Sequence, residues 1–142
     1  MVSSPARRFS VFVLFAALFA AVSCGHDQEL TAIQIQPDTE TFGASDIPVS
    51  ANAGATVQLR ALGRYIHPPV TKDITTQVTW TSNTPQMFTV DANGLLTATG
   101  NACGDTLISA TVQTNHSSGG LSSGGAIVTG TMTASVVCFT AP

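Results

Sequence analysis

Three cysteines carry most of the chemistry open to this chain, because a thiol can be acylated, oxidised to a disulfide or bound to a metal ion. They are Cys24, Cys103 and Cys138. The last two lie far from the C-x₂-C spacing of zinc sites, and none of the chain's three histidines stands at ligand spacing from them. We therefore predict no metal site and no cofactor, so the position of each thiol must indicate its role.

Cys24 ends a segment with the three parts of a secretory signal. The pair Arg7-Arg8 supplies positive charge, Val11–Val22 is an uninterrupted apolar run, and Ser23 is a small exit residue. The apolar run is shorter than the roughly 20 residues that a membrane-spanning helix needs. The pattern therefore predicts an exported protein.

Ala21-Val22-Ser23-Cys24 resembles a bacterial lipobox, in which the cysteine is diacylated and the chain is cut just before it. The resemblance implies a lipoprotein signal peptide over residues 1–23 and lipidation of Cys24. Ala21 stands where that family prefers leucine, and the alternative is a secreted protein with an unmodified cysteine. Gly25 follows the cysteine, where an aspartate would suggest retention in the inner membrane. By resemblance to sorting in two-membrane bacteria, this favours the outer membrane.

With Cys24 assigned to lipid, Cys103 and Cys138 form an even pair in an oxidising compartment, where disulfides persist. Closing that loop would stabilise the fold by about 4 kcal/mol on the chain-entropy account. Two buried free thiols are the alternative, because sequence alone does not show geometry.

The charge left after signal removal excludes several partners. Only Arg60, Arg64 and Lys72 remain, against eight acidic residues. No basic patch is left to hold phosphates, so we predict no binding to nucleic acid. The same acidic balance opposes docking on an anionic lipid surface, so we expect membrane attachment through the acyl chains.

Two further patterns suggest catalysis or calcium binding but lack the residues these need. Gly120-Leu121-Ser122-Ser123-Gly124 matches the G-x-S-x-G pattern of serine hydrolases, yet no Asp or His follows its serine. Asp91-Ala92-Asn93-Gly94 resembles the start of a calcium loop without its closing glutamate. We predict a chance match and a hairpin turn, and hence no enzyme. A surface calcium site at Asp38, Glu40 and Asp46 is the alternative to a solvated acidic loop.

Apolar and polar residues alternate after Cys24 with the period of two that marks half-buried strands. Turn residues interrupt the alternation about every 8 to 12 residues, which predicts an all-β sandwich or barrel. Asn93-Gly94 is a hairpin signal, because both residues accept positive φ. Ile47–Val49 is predicted as an edge strand, and Ser117–Gly125 as a mobile loop. The other predicted strands are Thr31–Gln36, Thr56–Ala61, Gln77–Ser82, Phe88–Val90, Leu96–Ala98, Ile108–Val112 and one within Ala126–Phe139.

The blocks Val78-Thr79-Trp80-Thr81-Ser82 and Val90-Asp91-Ala92-Asn93-Gly94-Leu95 are together similar to the group 2 bacterial immunoglobulin-like domain. The similarity runs from about residue 30 to residue 112. It implies an immunoglobulin-like Greek-key β-sandwich without catalysis, usually in cell-surface or envelope proteins such as adhesins.

This resemblance implies a domain plan. Residues 24–29 form a lipidated tether, and residues 30–142 form the sandwich. Residues 113–142 are interpreted as an appended loop and strand, which a Cys103–Cys138 bond would hold to the rest.

Aromatic residues provide the remaining candidates for binding. Trp80 lies on an apolar face beside Val78, so core packing is expected rather than ligand stacking. Tyr65 and His67 lie in a proline-rich segment between strands and are the candidate partner-contact residues, with a structural turn as the alternative.

These features predict a lipid-anchored envelope protein whose single domain serves in structure, protein interaction or adhesion. Its expected partners are the membrane, through the anchor, and an envelope or surface protein or glycan. A carbohydrate-binding module at the cell surface is the alternative, although such sites usually expose several aromatic side chains.

Overall fold

The computed structural model describes residues 28–114, 117–118, 121–122 and 125–140. The predicted signal peptide and Cys24 lie outside these residues. One 3₁₀ helix, Val49–Asn52, interrupts a succession of strands. The strands are β1 Glu29–Gln36, β2 Thr39–Phe42, β3 Thr56–Gln58, β4 Arg60–Ile66, β5 Val70–Asp73, β6 Thr79–Ser82, β7 Phe88–Val90, β8 Leu95–Ala98, β9 Gly104–Gln113, β10 Ser117–Ser118, β11 Leu121–Ser122 and β12 Ile127–Val136.

The first layer consists of two three-stranded sheets that share one stretch of chain. β4 pairs antiparallel with β1 on one side and with β5 on the other. β8 pairs antiparallel with β3 and β7. Only Leu59 separates β3 from β4, and its N–H donates to the carbonyl of Gly94 at 2.8 Å. The two sheets therefore continue into each other through Leu59.

The second layer is a four-stranded sheet in the order β2-β12-β9-β6. β12 pairs antiparallel with β9 along its whole length and parallel with β2. β6 closes the other edge by pairing antiparallel with β9, which places Trp80 opposite Ala110. β10 and β11, each two residues long, form a separate antiparallel hairpin.

The inner faces of the two layers form one hydrophobic core. Phe88 is fully buried, and its ring centroid lies 5.3 Å from that of Phe42. Gly130 of β12 permits close approach of the layers, since a Cβ at this position would lie 2.5 Å from the carbonyl oxygen of Ile33. Other fully or almost fully buried core residues are Ile35, Leu59, Ala61, Ile74, Leu96, Ala98, Ile108, Ala110, Met132, Ala134 and Val136.

The sandwich has two ends, and the disulfide between Cys103 and Cys138 lies at one of them. Gly130 of β12 lies against Ile33 of β1, and Thr133, further along β12, pairs with Thr39, the first residue of β2. Because both contacts advance along the chain together, β1, β2 and β12 run in the same direction. We call the end at which β1 and β12 begin the entry end. The opposite end, which contains Cys103 and Cys138, is the bridged end.

The all-β sandwich is confirmed, but two local predictions were wrong. The final strand is not an appendage, because β12 lies between β2 and β9 and completes the second layer. The predicted edge strand at Ile47–Val49 is absent. Pro48 instead precedes the 3₁₀ helix, with its carbonyl accepting from the N–H of Ala51, and β2 supplies the edge.

Candidate functional site

The entry end brings the beginning of β1 next to the β4–β5 hairpin. Tyr65 of β4 pairs with Leu30 on one side and with Val70 on the other, while Ile66 pairs with Glu29. The turn between β4 and β5 therefore comes after the last β4 pair with β1. Its first residue, His67, has φ 61°, in the left-handed region that is uncommon outside glycine. The two predicted contact residues, Tyr65 and His67, thus lie at the point where the chain enters the sandwich.

The same hairpin carries every basic side chain among the described residues, namely Arg60, Arg64 and Lys72. Arg60 is engaged: its Nη2 lies 2.8 Å and its Nε 3.0 Å from Oδ2 of Asp73. Hydrogen bonds from the hydroxyl and N–H of Thr75, followed by those from Arg60, lower the pKa of Asp73 to about 2. This pair occupies the part of the hairpin remote from the turn.

Lys72 and Arg64 lie nearer the turn and have different surroundings. The Lys72 Nζ lies 5.0 Å from the centroid of the Tyr65 ring, within range of a cation–π contact, and donates to the side-chain oxygen of Gln28. Arg64 lines a cavity of about 450 Å³ together with Tyr65 and Val70. Within the described part of the chain, the Arg64 guanidinium has no hydrogen-bond or ion-pair partner. Its donors are available for a ligand.

Apolar side chains are also exposed at the entry end. Val70, at the start of β5, is 38% exposed, and Ile127, at the start of β12, is 68% exposed. Tyr65 is half-buried against the edge of the core. The entry end therefore carries cationic, aromatic and aliphatic groups, with Arg64 and Val70 on opposite faces of the hairpin because Val70 pairs with the neighbouring residue Tyr65.

The bridged end contains the predicted pair of cysteines, which the structure joins in a disulfide with 5.1 Å between their Cα atoms. The bond lies beside the last pair of the β9–β12 ladder, Gly104 with Val136. After β12, the N–H of Val137 donates to the carbonyl of Phe42 at 2.9 Å. The bond thus fastens the beginning of β9 to the end of β12, within the second layer.

Asp91 shapes a hairpin turn, as predicted. Its Oδ1 accepts hydrogen bonds from the N–H groups of Asn93 and Leu95, each at 2.8 Å, and Gly94 has φ 79°. The Leu95 N–H is the main cause of the lowered pKa of Asp91. Because this carboxylate already accepts two backbone hydrogen bonds, a turn accounts for its presence without a cation.

The remaining candidates are not brought together into a site. No group of three or more His, Cys, Asp or Glu side chains that could hold a metal occurs among the described residues. Trp80 is half-buried against the core, and its Nε1 donates to the Thr75 carbonyl at 2.9 Å. His26, His116 and the side chains of the G-x-S-x-G segment lie outside the described residues.

A β-sandwich of two packed layers is the architecture of immunoglobulin-like domains. The chain belongs to the family of bacterial Ig-like domains (group 2), which matches residues 31–123, more than half of its length. The match extends beyond the predicted limit at residue 112. The family is a non-catalytic one, common in surface or adhesion-type proteins. A search of curated proteins found no match. In the described part of the chain, no helix has the length and apolar character to cross a membrane.

The sequence suggested Tyr65 and His67 as contact candidates, but it did not show that Arg64, Lys72 and Val70 are their neighbours. The three basic residues were recognised only as a charge total. Their shared hairpin depends on β5, which the alternation rule could not detect because all four of its residues are exposed.

Proposed function

We propose that this protein is a lipid-anchored component of the bacterial cell envelope, at the outer membrane, whose single Ig-like domain serves in adhesion or protein interaction without catalysis. The observation that carries this proposal is the apolar run that follows Arg7-Arg8 and ends at Ser23-Cys24, only a few residues before β1 begins at Glu29. Membership of a family common in surface and adhesion-type proteins supports the second part.

The anchor would act through the insertion of its acyl chains into the bilayer. One acyl chain binds membranes reversibly, whereas two chains on the same cysteine give stable attachment. Between Cys24 and Gln28 lie too few residues to span more than about 14 Å, even when fully extended. The domain would therefore remain close to the bilayer rather than stand away from it on a stalk.

We place the proposed partner contact at the entry end. Tyr65 and His67 lie there with two basic side chains, and the cavity beside Arg64 is open to a ligand. Outside this hairpin the described residues include no Lys or Arg, and Trp80 is half-buried against the core. We do not extend the proposal to glycan binding, because Lys72 lies over the Tyr65 ring where a sugar would stack.

Substitution of the proposed acylation site tests the anchor. In cells that express Cys24→Ser, we expect the protein to lose incorporation of labelled fatty acid, because the thiol that would accept lipid is gone. Ser23→Ala is the matched control: it keeps a small residue before the cysteine and should retain the label. Incorporation of labelled fatty acid into Cys24→Ser to the wild-type extent would refute lipid anchoring at this residue.

A further inference from the structure

The entry end is the surface that an anchor on Cys24 would hold nearest to the bilayer. Gln28 is the first described residue, and the Lys72 ammonium group donates to its side chain. The anchored chain thus reaches the sandwich directly beside the β4–β5 hairpin. With a connection of at most about 14 Å from Cys24 to Gln28, the hairpin turn lies within reach of the lipid headgroups.

The register makes the turn the outermost part of this end. Glu29, the first residue of β1, pairs with Ile66, so residues 67–69 follow the last paired position of β4. Val70 then begins β5 opposite Tyr65 and is exposed. Tyrosine is enriched at membrane–water interfaces, where its amphipathic ring lies at headgroup level.

The charges at this end are separated by position. Glu29 begins β1 and Asp27 precedes it in the sequence, whereas Arg64 and Lys72 lie on the hairpin. Asp73, the acidic residue of β5, is already paired with Arg60 away from the turn. The Arg64 guanidinium, which has no partner among the described residues, presents the fork of donors that matches a phosphate.

We propose that the β4–β5 hairpin docks on the phospholipid surface that holds the anchor, with Arg64 contacting a headgroup phosphate and Val70 resting in the interfacial layer. This inference rests on the lipid anchor of the proposed function and names the first contact of its candidate site. The acidic balance of the whole chain does not decide this contact, because Arg64 and Lys72 lie on the hairpin itself. Docking would orient the domain with its bridged end away from the bilayer.

Site-specific fluorescence quenching tests the orientation in the lipidated protein. Val70→Cys adds one reactive thiol at the entry end, and Ile47→Cys adds one in the loop after β2. The two positions are similarly exposed, at 38% and 40% respectively. Each variant is labelled with an environment-sensitive fluorophore and reconstituted into vesicles of phosphatidylcholine and phosphatidylglycerol that contain a headgroup-spin-labelled lipid. We expect strong quenching at position 70 and little at position 47.

A pair of arginine substitutions tests the phosphate contact. In the Val70→Cys background, Arg64→Gln should weaken docking about fivefold, which corresponds to the ~1 kcal/mol that one basic residue gains at an anionic surface. Arg60→Gln is the matched control on the same strand and should leave quenching unchanged. Equal loss in both variants, or none in Arg64→Gln, would overturn the assignment of Arg64.

The outcomes distinguish this inference from the proposal on which it rests. Flotation of the vesicles first reports whether the protein is anchored, and failure to float overturns the anchor together with the docking. If the protein floats but both labels are quenched equally, the anchor stands and the docked orientation is wrong. Quenching confined to position 70 supports both.

Discussion

The two ends of this sandwich are held by different kinds of interaction. At the bridged end, the Cys103–Cys138 bond and the backbone hydrogen bond from Val137 to Phe42 fix the chain after its last strand. At the entry end, backbone pairs such as Glu29 with Ile66 are joined by side-chain contacts from Lys72 to Gln28 and Tyr65. The ends therefore differ in the covalent bond, which holds one geometry, whereas long side chains can exchange partners.

We expect this difference to divide stability from contact. The disulfide at the bridged end contributes to the free energy of folding. Exposed apolar groups occur at both ends, but the Arg64 guanidinium, which has no partner among the described residues, lies at the entry end. Contact surfaces are commonly drawn from parts of a protein that its stability does not require.

Removal of the disulfide should have the largest effect on stability. The double variant Cys103→Ser, Cys138→Ser opens a loop with a sequence separation of 35 residues, and we expect the free energy of unfolding to fall by about 4 kcal/mol. Urea denaturation measures this change. Val70→Ser at the entry end is the comparison and should differ from wild type by less than about 0.5 kcal/mol. Equal losses in the two proteins would abolish the distinction between the ends.

Gly130 lies between the two ends and tests how the layers are joined. Gly130→Ala places a Cβ against the Ile33 carbonyl, so the layers must shift and the free energy of unfolding should fall by about 1–3 kcal/mol. Thr131→Ala changes the adjacent exposed position and should have a much smaller effect in the same denaturation series. A tolerated Gly130→Ala would show that the layers do not approach as closely as described.

Asp73 gives a prediction about pH on the hairpin itself. Because its pKa in the folded protein is about 2, below the ordinary 3.8, its stabilising contribution is complete above pH 3.8 and disappears as the pH falls towards 2. Asp73→Asn should therefore lower stability at neutral pH, with a deficit that shrinks below pH 4. Thermal unfolding across this range measures the deficit, and Asp46→Asn in the exposed loop is the control. A deficit independent of pH would contradict the ionic origin.

The smallest effect on stability should come from Arg64. Its side chain is exposed and has no partner in the described residues, so Arg64→Gln should change the free energy of unfolding by less than about 0.5 kcal/mol. The same variant is expected to impair membrane docking. A large loss of stability would instead assign Arg64 a structural role and would contradict the expected difference between the two ends.

Much of the fold could be predicted because the alternation of apolar and polar residues along a strand follows the burial of one of its faces. Strands with one face on the core, such as β1 with Ile33 and Ile35 buried, follow a period of two. The Asn93-Gly94 hairpin was also predictable, since its turn depends on local backbone freedom and on Asp91 nearby. The family resemblance was carried by these same local features.

Long-range pairing explains what the sequence did not reveal. β12 appeared to be an appendage because its parallel partner, β2, lies almost a hundred residues earlier and has only four residues. At the candidate site, the Lys72–Gln28 contact joins positions 44 residues apart. Tyr65 and His67 could be selected from composition, but Arg64 and Lys72 join them only through the register of β4 and β5.

The modification of Cys24 is the central claim, and mass spectrometry of the protein purified from membranes tests it most directly. We predict an N-terminal peptide that begins at Cys24 and carries diacylglycerol on the thiol. A mature chain with an unmodified Cys24 thiol, or one cleaved at a different residue, would contradict the account.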